Sequence, residues 1–130
     1  MAQVTKVLCD RKIDIRALSV ADTSDFGILR LIVSDVDTAF SALKEAGFTV
    51  SKTNVIGVKI HDKPGALSDV LSLLASKDMS VEYIYAFVAK NDSDAFVIMK
   101  INDDHLSDKA VELLKNNGFE ILDGEMINKI

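Results

Sequence analysis

Residues 54–71 read NVIGVKIHDKPGALSDVL, with the chain's only proline, Pro64, followed at once by Gly65. Ile56, Val58 and Ile60 alternate, which predicts a strand over Val55–His61. Leu67, Val70, Leu71 and Leu74 then recur at helical spacing. Pro64 sets its own φ and disfavours helix at Lys63, so the chain stays extended until Pro64. Gly65 lacks a Cβ, which admits an unusual φ and close approach of backbone or ligand. Ala66, Leu67 and Ser68 open the helix with unpaired N–H groups, a favourable place for a carboxylate. Asp62, just before them, offers an acceptor for an ammonium. Together these groups complement the two ends of an α-amino acid. The same residues also fit a plain tight turn in which Asp62 caps the helix. The residues alone leave both readings open.

Working outward, Val4, Val7, Leu8 and Arg11 place a helix over residues 2–11. Strands are expected over Ile13–Ala21 and Phe26–Val33, with a turn at 22–25. Ser34 or Asp35 caps a helix that runs to Ala46, Gly47 supplies a left-handed C-cap, and Phe48–Val50 begins a third strand. After the opening stretch come strands Val81–Ala89 and Ala95–Ile101, with a turn at 90–94. Asp103 or Asp104 then caps a helix to Asn117, Gly118 ends it, and Phe119–Leu122 is a last strand.

The two halves are copies of one unit. RKIDIRALSVA (11–21) lies over KDMSVEYIYAF (77–87), and FGILRLI (26–32) over FVIMKIN (96–102), with Arg30 on Lys100. ALKEAGF (42–48) lies over LLKNNGF (113–119), and NVI (54–56) over EMI (125–127). Capping glycines, strand phase and turn positions agree, which marks a repeat. The unit reads strand, helix, strand, strand, helix, strand. That order predicts an α+β fold of two ferredoxin-like βαββαβ units, 1–53 and 54–130, each an antiparallel sheet with helices on one face. In the first unit the opening strand and its loop would precede Met1. Either the chain as given starts late or another segment fills the gap.

The residues VKIHDKPGAL (58–67), followed by a helix and KDMSVEYIYAF, resemble the ACT domain, a small ligand-binding module often attached to enzymes of amino-acid metabolism. The whole chain is similar to a tandem ACT protein with no catalytic domain. The resemblance implies an amino-acid site at Asp62, Lys63, Pro64, Gly65, Ala66 and Leu67, between two ACT units. It implies a further contact at the start of the second strand, Ser80 here and Asp14 in the first unit. Some serine-binding relatives carry a histidine two positions before the loop's acidic or amide residue. That position is Ile60, and His61 points to the other face, so serine is not indicated.

Composition limits the alternatives. Of 130 residues, 48% are apolar and 27% charged, which is globular rather than disordered. The net charge of −5 repels phosphate backbones, so no nucleic-acid partner is expected. No apolar run approaches membrane-spanning length, so no membrane is expected. The N-terminus shows no signal-peptide pattern, and one cysteine forms no internal disulfide, so the cytoplasm is the expected location. Cys9 reads as a small, partly buried filler. His61 and His105 lack ligand spacing, so no metal or other cofactor is expected. The acidic turns at Asp22/Asp25 and Asp92/Asp94 read as solvated turn chemistry. No phosphate-loop, nucleophile-elbow or zinc-helix motif appears, which gives no ground for an enzyme.

Tyr83, Tyr85 and Phe87 share one strand face, with Ile84, Ala86 and Val88 on the other. On the neighbouring strand Val97, Met99 and Ile101 oppose Phe96, Ile98 and Lys100. Two apolar faces predict sheet packing between units or between chains, hence a homo-oligomer. The expected function is regulatory sensing of an L-amino acid. The alternative is a protein–protein interaction module in which the Pro-Gly loop is only a turn.

Overall fold

The computed structural model describes residues 1–22, 27–88 and 93–123. Of the turns expected at 22–25 and 90–94, residues 23–25 and 90–92 lie outside the described residues, as does the EMI match at 125–127; Asp22 instead ends a strand, and Asp94 opens one and pairs with Lys59 rather than sitting in a solvated turn. The chain divides into two compact units, Met1–Lys52 and Thr53–Ile130.

The second unit holds β3 (Ile56–His61), α3 (Ala66–Ala75), β4 (Val81–Val88), β5 (Asp94–Ile101), a 3-10 turn (Asp104–Leu106), α4 (Ser107–Asn116) and β6 (Glu120–Leu122). Its four strands stand in the order β4-β5-β3-β6, all neighbours antiparallel. The opening strand β3 is therefore central, the ferredoxin-like arrangement that the element order predicts. β3 pairs Ile56 with Met99 at one end and His61 with Asp94 at the other. Ile56 and Val58 of β3, Val97, Met99 and Ile101 of β5, Val70 and Leu74 of α3, and Ala110 and Leu114 of α4 form one buried core. The face opposite the helices carries Tyr85, Ile98 and Leu122, all buried. Lys100 is on that face, and its ammonium donates to Ile101 O at 2.7 Å and Asp104 Oδ1 at 2.6 Å. The Asp104 carboxylate raises the Lys100 pKa, against the opposing effect of desolvation.

The first unit holds α1 (Ala2–Asp10), β1 (Ile15–Asp22), β2 (Gly27–Val33) and α2 (Val36–Glu45). Leu8, Ile13, Val33, Ala39 and Leu43 form its core. β1 and β2 make a two-stranded antiparallel sheet. The strand expected from Phe48 does not form. Its counterpart β6 ladders onto the opening strand β3, and the described residues of the first unit include no opening strand. Phe48 and Val50 still pack against the core.

The repeat is visible in backbone detail. Lys12 and Asp78, 66 positions apart in the sequence, both take a left-handed φ, 56° and 57°. Ile13 N–H donates to Leu8 O, and Met79 N–H donates to Leu74 O, each at 3.0 Å. A register shift falls between Ile15 and Ala17 in β1 and between Val81 and Tyr83 in β4. One detail of the repeat alignment is corrected. Ser19 pairs with Arg30, and its counterpart Tyr85 pairs with Ile98, so Arg30 corresponds to Ile98 and not Lys100. A slip of two residues keeps every side chain on its face, so alternation cannot detect it. Cys9 is exposed rather than partly buried, because it falls outside the stripe formed by Val4, Val7 and Leu8.

Asp35 is the cap of α2. Its carboxylate accepts from Thr38 N–H at 3.1 Å and from the Thr38 hydroxyl at 2.7 Å, and these bonds lower its pKa. A lowered pKa adds stability that is present above the ordinary aspartate range, roughly pH 4, and lost as pH falls through the lowered value. Asp35→Ala is therefore expected to lower the melting temperature at pH 7, with the deficit shrinking in strongly acidic buffer. Thermal melts across pH check this.

Candidate functional site

The site grows from the end of β3. Paired on both sides, β3 delivers the loop His61–Gly65 to a fixed place. Asp62 N–H donates to Ser93 O at 3.0 Å, which ties the loop to the start of β5. Lys63 N–H donates to His61 O at 2.9 Å, a tight local turn. Gly65 is the N-cap residue of α3 and has φ +92°. A Cβ built there would meet nothing within 4 Å. Glycine is thus required by the left-handed backbone and not by lack of space.

Asp62 does not cap the helix. No side chain caps α3, whereas Asp35 caps α2 and Asp103 caps the 3-10 turn before α4. Ala66 N–H donates to Lys63 O at 3.2 Å, and Asp69 N–H donates to Gly65 O at 3.0 Å. Among the described residues, the N–H groups of Leu67 and Ser68 have no acceptor. Asp62, Lys63, Pro64 and Gly65 are exposed, Ala66 is buried and Leu67 is half-buried. The loop therefore offers two free amide donors at the positive end of a helix, with a solvent-facing carboxylate nearby.

Beside the loop runs a charged cluster that sequence reading missed. Lys59 Nζ is 3.3 Å from Asp94 Oδ2 and 3.6 Å from Glu120 Oε2. Its pKa is raised, first by the hydrogen bond to Asp94, then by the charges of Asp94 and Glu120. His61 Nδ1 is 3.6 Å from Asp94 Oδ1. Three strands supply these groups, so only the sheet order reveals the cluster. The available signal was the lysine inside an otherwise apolar strand, three positions before Asp62. The cluster borders a groove of about 320 Å³ that Lys63 and Ala66 also line.

Ser80 lies elsewhere in the same unit. It precedes β4, whose first residue Val81 pairs with Ile101, while His61 pairs with Asp94 at the other end of β5. The length of β3, roughly 20 Å at 3.3 Å per residue, separates Ser80 from the loop. Ser80 lines its own shallow concavity of about 590 Å³ with Leu71, Ala75 and Met79. A single amino acid cannot touch both within one unit. Asp14 is exposed in the first unit, with its N–H donating to Ser34 Oγ at 3.0 Å and Arg16 Nη2 at 3.8 Å from its carboxylate.

Because the Gly65 cost is conformational, Gly65→Ala is expected to destabilise the protein by roughly 1–2 kcal/mol. Urea denaturation reads this as a lower midpoint. An unchanged midpoint would mean that the left-handed φ is not required.

A family model described as an ACT domain pair matches residues 1–130. The crystal structure of protein BT0572 from Bacteroides thetaiotaomicron is similar at 39% identity and a TM-score of 0.89, covering 99% of this chain and 86% of that one. An unknown protein from Galdieria sulphuraria matches at 16% identity and a TM-score of 0.35, over 93% of this chain and 86% of that one. Aspartate kinase from Synechocystis matches at 18% identity and a TM-score of 0.36, over 93% of this chain and 25% of that one. No curated protein matches. No catalytic domain is evident in the chain, and no helix among the described residues is long and apolar enough to cross a membrane. The chain belongs to the ACT domain family, a family of regulatory ligand-binding modules, as a tandem pair.

Proposed function

We propose that this ACT pair is a regulatory sensor of a free L-amino acid, acting in the cytoplasm as a homo-oligomer. The observation that carries the reading is the uncapped start of α3. The amides of Leu67 and Ser68 lack acceptors among the described residues, and the left-handed Gly65 introduces them. The ligand's α-carboxylate sits on these donors. Its ammonium is held by Asp62, whose carboxylate is exposed at the loop.

Ser80 or Asp14 joins this site only from a different ACT unit, because Ser80 is a strand's length away within its own. On this reading the ligand is shared between ACT units. A ligand held there favours one arrangement of units over another, by as much as its affinity differs between them.

A thermal-shift screen against the twenty L-amino acids in millimolar excess tests this reading. One or a few are expected to raise the melting temperature, since a ligand that binds only the folded state stabilises it. Asp62→Ala and Gly65→Val are expected to abolish the rise. A well-folded protein that responds to none of them would demote the loop to a turn and favour an interaction module.

A further inference from the structure

Lys59 interrupts the apolar strand β3 at the loop end of the second unit's sheet, and its side chain reaches both neighbouring strands. It pairs with Glu120 across one ladder and with Phe96 across the other. Asp94 lies two residues from Phe96, on the same face of the sheet. Lys59 Nζ thereby meets a carboxylate on β5 and another on β6, at 3.3 and 3.6 Å.

The two arms are unequal. The Glu120 side chain is 55% exposed, and a solvated ion pair of that kind contributes little. The Asp94 side chain is only 14% exposed. A carboxylate taken that far out of water needs an opposite charge or hydrogen bonds in compensation. His61 Nδ1 lies 3.6 Å from its other oxygen, but that ring is 78% exposed. Among the described residues, Lys59 is the cation nearest to Asp94.

Asp94 matters for what stands next to it. It opens β5 and pairs with His61, the last residue of β3. One step further the ladder gives way to a single bond, from Asp62 N–H to Ser93 O. The bond from Lys63 N–H to His61 O joins the loop only to its own strand. The loop is therefore tied to β5 through the carbonyl of the residue adjacent to Asp94.

We propose that Lys59 is a positioning residue for the Asp62–Gly65 loop. By holding the Asp94 carboxylate it fixes Ser93, and Ser93 O in turn fixes the Asp62 amide. Lys59 does this without touching a ligand. The same role accounts for a lysine inside an otherwise apolar strand. Asp94 and Glu120 raise its pKa, so the ammonium stays charged throughout the neutral range. On the sensor reading, Asp62 holds the ligand's ammonium, and loss of Lys59 weakens binding. That consequence rests on the sensor reading. The positioning itself does not, and it shows in the ligand-free protein.

Amide hydrogen exchange of the ligand-free full chain, followed residue by residue by NMR, tests the proposal. Lys59→Met keeps the apolar stem and removes the charge. In it the Asp62 amide is expected to exchange roughly tenfold faster, the factor for losing a hydrogen bond to a charged group. The core amides of Val97 and Met99 are expected to change by a smaller factor. Lys59→Arg is expected to restore slow exchange, because a guanidinium serves the same carboxylate. Glu120→Gln, which cuts only the solvated arm, stays within about twofold of wild type. Asp94→Asn is expected to speed Asp62 exchange as Lys59→Met does, and it carries the test if Lys59→Met fails to fold by circular dichroism. Combining the two gives no more than the larger single effect, since both act through one contact. Asp62 exchange that is unchanged, or that rises only as much as Val97 and Met99, overturns the proposal. So does a Lys59→Arg variant that fails to restore it, or single effects that multiply. A protein that binds no amino acid refutes the sensor reading and leaves these results as they stand.

Discussion

The second unit depends on the two-sided pairing of β3. This strand ladders to β5 along its whole length and to β6 over Gly57–Lys59. With neighbours on both edges, it cannot slip without moving its apolar row out of the core. Its end is therefore a fixed point, and the Asp62–Gly65 loop inherits that fixity. The Asp62 amide bond to Ser93 and the Lys59 bridge from Asp94 to Glu120 reinforce the same end of the sheet. Gly65 then turns the chain through a left-handed φ into α3 without spending a side chain as a cap. The donors that a cap would have consumed are left available, and the proposed site rests on them.

The first unit has no such central strand among its described residues, and its sheet differs accordingly. That sheet has two strands, residues 48–50 form no ladder, and Leu18 and Val20 of β1 are exposed. The helices and their C-terminal turns are nonetheless built as in the second unit, down to the left-handed Lys12 and Asp78. Duplication kept the local geometry, while the two sheets differ in completeness. Among the described residues, only the second unit contains a strand-to-helix loop with a left-handed glycine.

Most of the element order was legible because its signals are local. Alternation in 55–61, the helical spacing of Leu67 to Leu74, and the glycines at 47 and 118 each act within a few residues. The duplication was legible for the same reason. What was not legible depends on distant partners or on unusual backbone. The Arg30 register was off by two because a shift of two preserves the face. The strand at Phe48 was expected because its sequence suits one, yet a strand needs a neighbour. The left-handed φ of Lys12 and Asp78 gives no sign in residues that are not glycine. The Lys59–Asp94–Glu120 cluster draws on three strands that are far apart in the chain. For the candidate site, the Pro-Gly turn was readable, but whether Asp62 caps the helix was not. Gly65, not Asp62, occupies the N-cap position, and it has no side chain with which to cap.

The central claim is that the open amides at the start of α3 receive a ligand carboxylate. Backbone amide NMR on the isotopically labelled protein tests it most directly, with titration by the amino acid that binds. The account predicts that the Leu67 and Ser68 amide resonances move progressively and saturate, with Gly65 following as the loop adjusts. Saturable binding that leaves the Leu67 and Ser68 amides unmoved, or that moves only residues remote from the loop, would contradict it.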